Sequence, residues 1–136
     1  MENNKNNNGA FRFTYFTNKY SETCDFYEKE LEFKLEYFWD RNENDKGTLF
    51  KAGLGLIEVL KFPNDNSLFN LGLDYREPQG VFMVIQVFNI DEIFLKYKKK
   101  KLNFKQEITN QSWGHRSFSI IEPNGLILLF IQDIIV

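Results

Sequence analysis

Apolar and polar positions alternate from the first patterned stretch, where Phe11, Phe13 and Tyr15 fall on one face and Arg12 and Thr14 on the other. A period of two is the period of a strand. Phe16 breaks the alternation, and Asn18-Lys19-Tyr20-Ser21 then offers helix-cap candidates, with Glu22 and Asp25 placing negative charge in the first turn. Tyr20, Cys24, Tyr27 and Leu31 recur at helical spacing, so the pattern predicts a helix that ends near Leu31. Residues 33–39 read as a second strand, 40–47 as a polar hairpin loop, and 48–51 and 54–62 as two more strands. The first half is therefore β, α, β, β, β.

The second half repeats that order. Residues 81–88 form an apolar strand, Asn89 or Asp91 is placed to cap, and Ile93, Phe94, Tyr97 and Lys101 trace a helix. Asn103 is the residue best suited to the left-handed conformation at that helix's end. Residues 104–108 and the hairpin 113–132 complete the unit, with Glu122-Pro123-Asn124-Gly125 as the turn, where Pro pre-sets one dihedral and Gly accepts positive φ. The run Gly55-Leu56-Ile57-Glu58-Val59-Leu60 is echoed by Gly125-Leu126-Ile127-Leu128-Leu129-Phe130, about seventy positions later, as an internal duplication requires. Between the halves, residues 63–79 lack a clear period and read as a linker with a short helical turn over 67–71. Residues 1–9 are a polar, low-complexity stretch with nothing to bury and are expected to be disordered.

Composition narrows the function. A chain of 136 residues, 43% hydrophobic and 17% aromatic, has enough apolar surface for one packed core and aromatic rings to spare for a cavity or an interface. A net charge of −2 supplies no general attraction to nucleic acid or to an anionic membrane. The basic run 96–101 lies toward a helix C-terminus, where cations complement the dipole, and reads as a solvated face. The single cysteine, Cys24, cannot form an internal disulfide, and neither a secretory signal nor an apolar run long enough to span a membrane is evident. A cytoplasmic location is expected.

Three motifs, in order and spacing, identify a resemblance: Asp25-Phe26-Tyr27 followed by Leu31-Glu32-Phe33, then Trp113-Gly114-His115-Arg116-Ser117-Phe118, then Glu122-Pro123-Asn124-Gly125. Together with the two βαβββ units they resemble the vicinal oxygen chelate superfamily, which contains glyoxalase I, bleomycin resistance proteins and extradiol dioxygenases. The resemblance covers about residues 9 to 132. Thr23, Glu32 and Glu122 stand where the family's motifs carry Ser, Gly and Asp. What it implies is an α+β fold of two tandem βαβββ modules, 10–62 and 80–136 within a single domain, forming curved half-barrel sheets around a concave cavity, with homodimers common.

The resemblance also implies metal-ligand positions on the first and last strands of each module. Carried over, they fall on Arg12, Glu58, Phe82 and Leu129, of which only Glu58 is a ligand. A catalytic metal usually needs about three donors from His, Asp, Glu or Cys, and the chain has one histidine and one cysteine. The expectation is therefore a protein with no metal, no cofactor and no catalytic residue, which binds a small apolar or aromatic molecule as the bleomycin resistance branch does. Two alternatives stand beside it: a metal-dependent lyase, isomerase or dioxygenase of the glyoxalase type, and a non-catalytic structural or interaction module whose cavity is filled by its own Phe side chains.

Strand parity puts Arg12, Thr14, Leu56, Glu58, Leu60, Phe82, Val84, Gln86, Ile127 and Leu129 on the concave surface. A lone Glu58 there is costly, so Arg12 and Glu58 are expected to form a buried ion pair; the alternative has both reaching water at the strand ends. In the family the Trp113–Arg116 segment lies at the cavity mouth, which makes Trp113, His115 and Arg116 candidates for stacking on and hydrogen bonding to a ligand. The structural alternative has Trp113 anchoring the hairpin and Arg116 pairing with Glu122 or Asp133. The candidate ligand-binding set is thus Arg12, Thr14, Glu58, Phe82, Gln86, Trp113, His115 and Arg116.

Overall fold

A computed structural model describes residues 7–65, 72 and 79–134. The chain separates into two compact units, Met1–Pro78 and Gln79–Val136. The expected helical turn over 67–71 and the first six residues of the expected tail lie outside the described residues; Asn7–Gly9 form a turn closed by the Ala10 N–H donating to the Asn7 carbonyl.

In the first unit, β1 (Arg12–Thr17) leads to helix α1 (Tyr20–Asp25), which runs on into a π-helical turn (Phe26–Glu30). Three strands follow, β2 (Leu35–Asn42), β3 (Asp45–Ala52) and β4 (Gly55–Lys61). They form a four-stranded sheet in the order β1-β4-β3-β2, with β1 and β4 parallel and the other pairs antiparallel. The wide turn of the π segment brings both Phe26 and Tyr27 inward. Tyr27 packs on Phe50 at 5.5 Å and on Phe33 at 6.0 Å, and its hydroxyl shares a 2.9 Å hydrogen bond with that of Tyr15. That bond lets two phenols sit in the core without an unsatisfied oxygen.

The second unit has the same topology: β5 (Phe82–Gln86), α2 (Ile90–Lys99), β6 (Phe104–Asn110), β7 (His115–Ile121) and β8 (Ile127–Asp133), in sheet order β5-β8-β7-β6. Its core is centred on an aromatic cluster. Phe118 stacks on Phe130 at 4.9 Å, while Phe94 and Tyr97 from α2 meet Phe118 edge-on at 5.4 and 6.2 Å. The two βαβββ units expected from the periodicity are both present, and the sheets are not closed.

Local expectations differ from the structure in three places. Residues 40–47 are not a long loop: β2 and β3 extend through them and leave a turn of Glu43 and Asn44. The extension is held by Asp45, which accepts from the Trp39 indole N–H at 2.9 Å and from Arg41 at 3.1 Å. The polar composition that reads as a loop is that of a solvated hairpin. Second, the left-handed residues after the helices are Glu32 (φ 59°) and Lys101 (φ 58°), rather than Asn103. Third, neither helix has a side-chain N-cap: the Ile90 N–H donates instead to the Gln132 side-chain carbonyl at 2.8 Å, a partner supplied by β8. Among the described residues no helix is long and apolar enough to cross a membrane.

Candidate functional site

Each sheet has one face against its helix and one turned away from it. On β1 the helix side carries the buried Tyr15 and Thr17, so the intervening Arg12, Thr14 and Phe16 fall on the far side. Strand register carries that parity across the sheet. Arg12 pairs with Leu56, and Leu56 with Lys51; Thr14 pairs with Glu58, Glu58 with Leu49, and Leu49 with Tyr37; Phe16 pairs with Leu60, Leu60 with Gly47, and Gly47 with Trp39. The far face of the first sheet is therefore three rows, one bounded by cations, one centred on a carboxylate and one aromatic. Gly47 serves the third row, because a Cβ there would fall inside the Trp39 ring.

Arg12, Thr14 and Glu58 are brought together. Arg12 donates from Nη1 to Glu58 Oε2 at 3.1 Å, and the Thr14 hydroxyl donates to Glu58 Oε1 at 2.9 Å. Both carboxylate oxygens are thus engaged. The ion pair expected from the sequence forms, but it is not a buried one: the Glu58 side chain is 12% exposed and that of Arg12 38%. Arg12 sits on an edge strand, so water reaches the guanidinium and the pair is worth no more than about 1 kcal/mol.

The far face of the second sheet follows the same register with different chemistry. Phe82 pairs with Ile127, and Ile127 with Ile121; Val84 pairs with Leu129, and Leu129 with Ser119. Phe82 and Val84 on the edge strand are 60% and 49% exposed. Gln86 and His115 meet through a residue that the motif-based reading did not single out as a site residue. His115 Nε2 lies 3.2 Å from Asp133 Oδ1, and the Gln86 amide donates to Asp133 Oδ2 at 3.2 Å. Asp133 was reachable by counting outward from the Glu122–Gly125 turn, since β7 and β8 pair without a bulge and His115 lies opposite Asp133. Gln111 donates to Ser117 at 3.0 Å beside them.

Arg116 is not part of this group. One position out of step with His115, it faces α2, where it donates to Asp91 at 2.8 Å and to Asn110 at 2.9 Å. Neither Glu122 nor Asp133 is its partner. Glu122 instead closes the hairpin turn, accepting from the Leu126 N–H at 3.0 Å and the Asn124 amide at 2.9 Å. Trp113 stands in the turn before β7 with 68% of its surface exposed.

A family metal would need donors that these residues do not offer. The first- and last-strand positions hold Arg12 and Glu58 in one unit and Phe82 and Leu129 in the other, and each oxygen of Glu58 already accepts a hydrogen bond, from Arg12 or from Thr14. Among the described residues no three His, Cys, Asp or Glu side chains converge on one point. Burial pushes the Cys24 thiol above the ordinary 9.0, which disfavours the thiolate, and likewise raises the neighbouring Tyr20 phenol, whose hydroxyl lies 2.5 Å from that of Thr48.

A family model described as the Glyoxalase/Bleomycin resistance protein/Dioxygenase superfamily matches residues 9–130. No curated protein matches the chain. Among solved structures, TioX from Micromonospora sp. ML1 is similar with a TM-score of 0.71 at 13% identity, covering 92% of this chain and 98% of that one. A glyoxalase/bleomycin resistance protein/dioxygenase from Alicyclobacillus acidocaldarius gives 0.67 at 18% identity over 96% and 95% of the two chains. A member of the same superfamily from Sphaerobacter thermophilus gives 0.67 at 18% identity over 91% and 96%. At these identities the likeness is one of fold.

Proposed function

Because the chain belongs to the glyoxalase/bleomycin resistance protein/dioxygenase superfamily, we propose that it is a metal-independent member that binds a small apolar or aromatic molecule. Binding uses the sheet faces turned away from the helices. The observation that carries this reading is the state of Glu58: the one family ligand position that kept its acid has both oxygens committed to Arg12 and Thr14. To hold a metal, Glu58 would have to take it beside the Arg12 guanidinium, and among the described residues no group of three His, Cys, Asp or Glu side chains is placed to share the ion. In the proposed role Arg12, Thr14 and Glu58 supply polar contacts in the first unit. On the second unit, taken by itself, Phe82 and Trp113 offer apolar surface, and Gln86 and His115 are the polar contacts. The mechanism is recognition, with no bond made or broken. A homodimer in the cytoplasm completes the proposal.

Thermal unfolding tests it. Nickel, zinc, manganese and iron(II) are expected to leave the midpoint unshifted, whereas a panel of small aromatic molecules raises it by mass action. A metal-specific rise with no response to any aromatic molecule refutes the reading, and a monomeric mass in solution refutes the dimer.

A further inference from the structure

We infer that the molecule bound is an anion, and that the row Arg12–Leu56–Lys51 of the first sheet is the seat of its negative group. This inference rests on the small-molecule reading above and adds the charge of the ligand. The register places Arg12 and Lys51 on the same face, one strand to either side of Leu56, hence about 10 Å apart at the backbone. Both are long side chains, with reach enough for one anionic group to be held by the two across the strand between them. Arg12 spends only Nη1 on Glu58, so its Nε and Nη2 donors have no partner among the described residues. Lys51 makes no ion pair among the described residues, although six of the chain's other cations, Lys29, Lys34, Arg41, Lys46, Lys98 and Arg116, pair with carboxylates.

Glu58 does not cancel this seat. Its charge is neutralised by one arm of Arg12 and a hydroxyl, and what it fixes is the guanidinium's orientation, leaving the fork to take a carboxylate, sulfonate or phosphonate group. The formal charge of the cluster is +1: Arg12 and Lys51 against Glu58. The next row brings Tyr37 onto the same face, and Tyr37 lies 6.0 Å ring to ring from Trp39, so an aromatic body has a surface beside the charged end. The corresponding row of the second sheet, Phe82–Ile127–Ile121, carries no charge. The charged row is therefore a property of the first sheet and not of the fold.

The test uses the full chain and three probes of one shape, benzoate, benzamide and benzylamine, with binding read by calorimetry at low and moderate salt. Benzoate is expected to bind at least about tenfold tighter than benzamide, a gap of one tenfold step in affinity, and to weaken as salt rises. Arg12→Gln and Lys51→Gln should each weaken benzoate about fivefold to tenfold, and Lys51→Gln should leave benzamide unchanged; an unaltered circular-dichroism spectrum and thermal midpoint show that both variants are folded. Benzamide or benzylamine binding as tightly as benzoate, or benzoate unaffected in both variants, overturns the anion seat and leaves the small-molecule reading standing. Binding by none of the three overturns the seat and counts against that reading as well.

Discussion

The two sheets share strand order and register and differ in what they present on the face away from the helix. In the first, Arg12, Leu56 and Lys51 form one row and Thr14, Glu58 and Leu49 the next; in the second the same places hold Phe82, Ile127 and Ile121, then Val84, Leu129 and Ser119. The helix-side faces differ in the same direction at one matched position. Position 48 of the first sheet is a threonine whose hydroxyl meets Tyr20, and its counterpart in the second is Phe118 at the centre of an aromatic stack. In these two rows polarity has collected in the first sheet and hydrocarbon in the second, whose polar groups gather instead at Gln86, His115 and Asp133. A strand's alternation lets this happen, because one face can be rewritten without touching the other. Chemistry that recognises charge is then to be sought in the first sheet, and apolar contact in the second.

The largest expected effect separates the two cores. Phe118→Ala should cost about 3–5 kcal/mol in denaturant unfolding, since it opens a cavity among Phe94, Tyr97 and Phe130. Thr48→Ala at the matching position should cost only about 1 kcal/mol, the loss of one hydrogen bond. Next comes a transplant of the polar row: Leu129→Glu alone should destabilise by about 2 kcal/mol, because its strand neighbours are Val84 and Ser119, with no cation to pair the new carboxylate. Adding Phe82→Arg should recover about half of that, as a double-mutant cycle would register. Gly47→Ala should cost about 1–3 kcal/mol by pushing the Trp39 ring off the sheet, whereas Ser117→Ala, its counterpart, should stay within about 1 kcal/mol despite losing the Gln111 contact. The smallest change is Glu58→Gln, at no more than about 1 kcal/mol, for a pair that water reaches through Arg12. A much larger loss would mean that the pair is a structural keystone of the first sheet and not a recognition element.

Much of this was legible in the residues. Period-two alternation and helical spacing gave both βαβββ units, and parity correctly put Arg12, Thr14 and Glu58 on one face with Phe82, Val84 and Leu129 on the other sheet's equivalent face. The ends of β2 and β3 were not legible, because Asp40 to Lys46 are as polar as a loop and reveal themselves as strand only through the Trp39–Asp45–Arg41 contacts. The direction of Arg116 was hidden for a related reason: a motif groups it with His115, yet neighbours in a strand point to opposite faces, and it meets the Asp91 end of α2. Lys51 escaped notice because its significance lies in pairing two strands away from Arg12, a relation that only the sheet order supplies.

The account rests on Glu58 holding an arginine where a family enzyme would hold an ion. Elemental analysis of the purified protein measures this directly, with Glu58→Gln beside it. Nickel, zinc, iron and manganese are predicted far below one atom per chain in both proteins; one tightly held ion per chain, lost on substituting Glu58, would contradict the account.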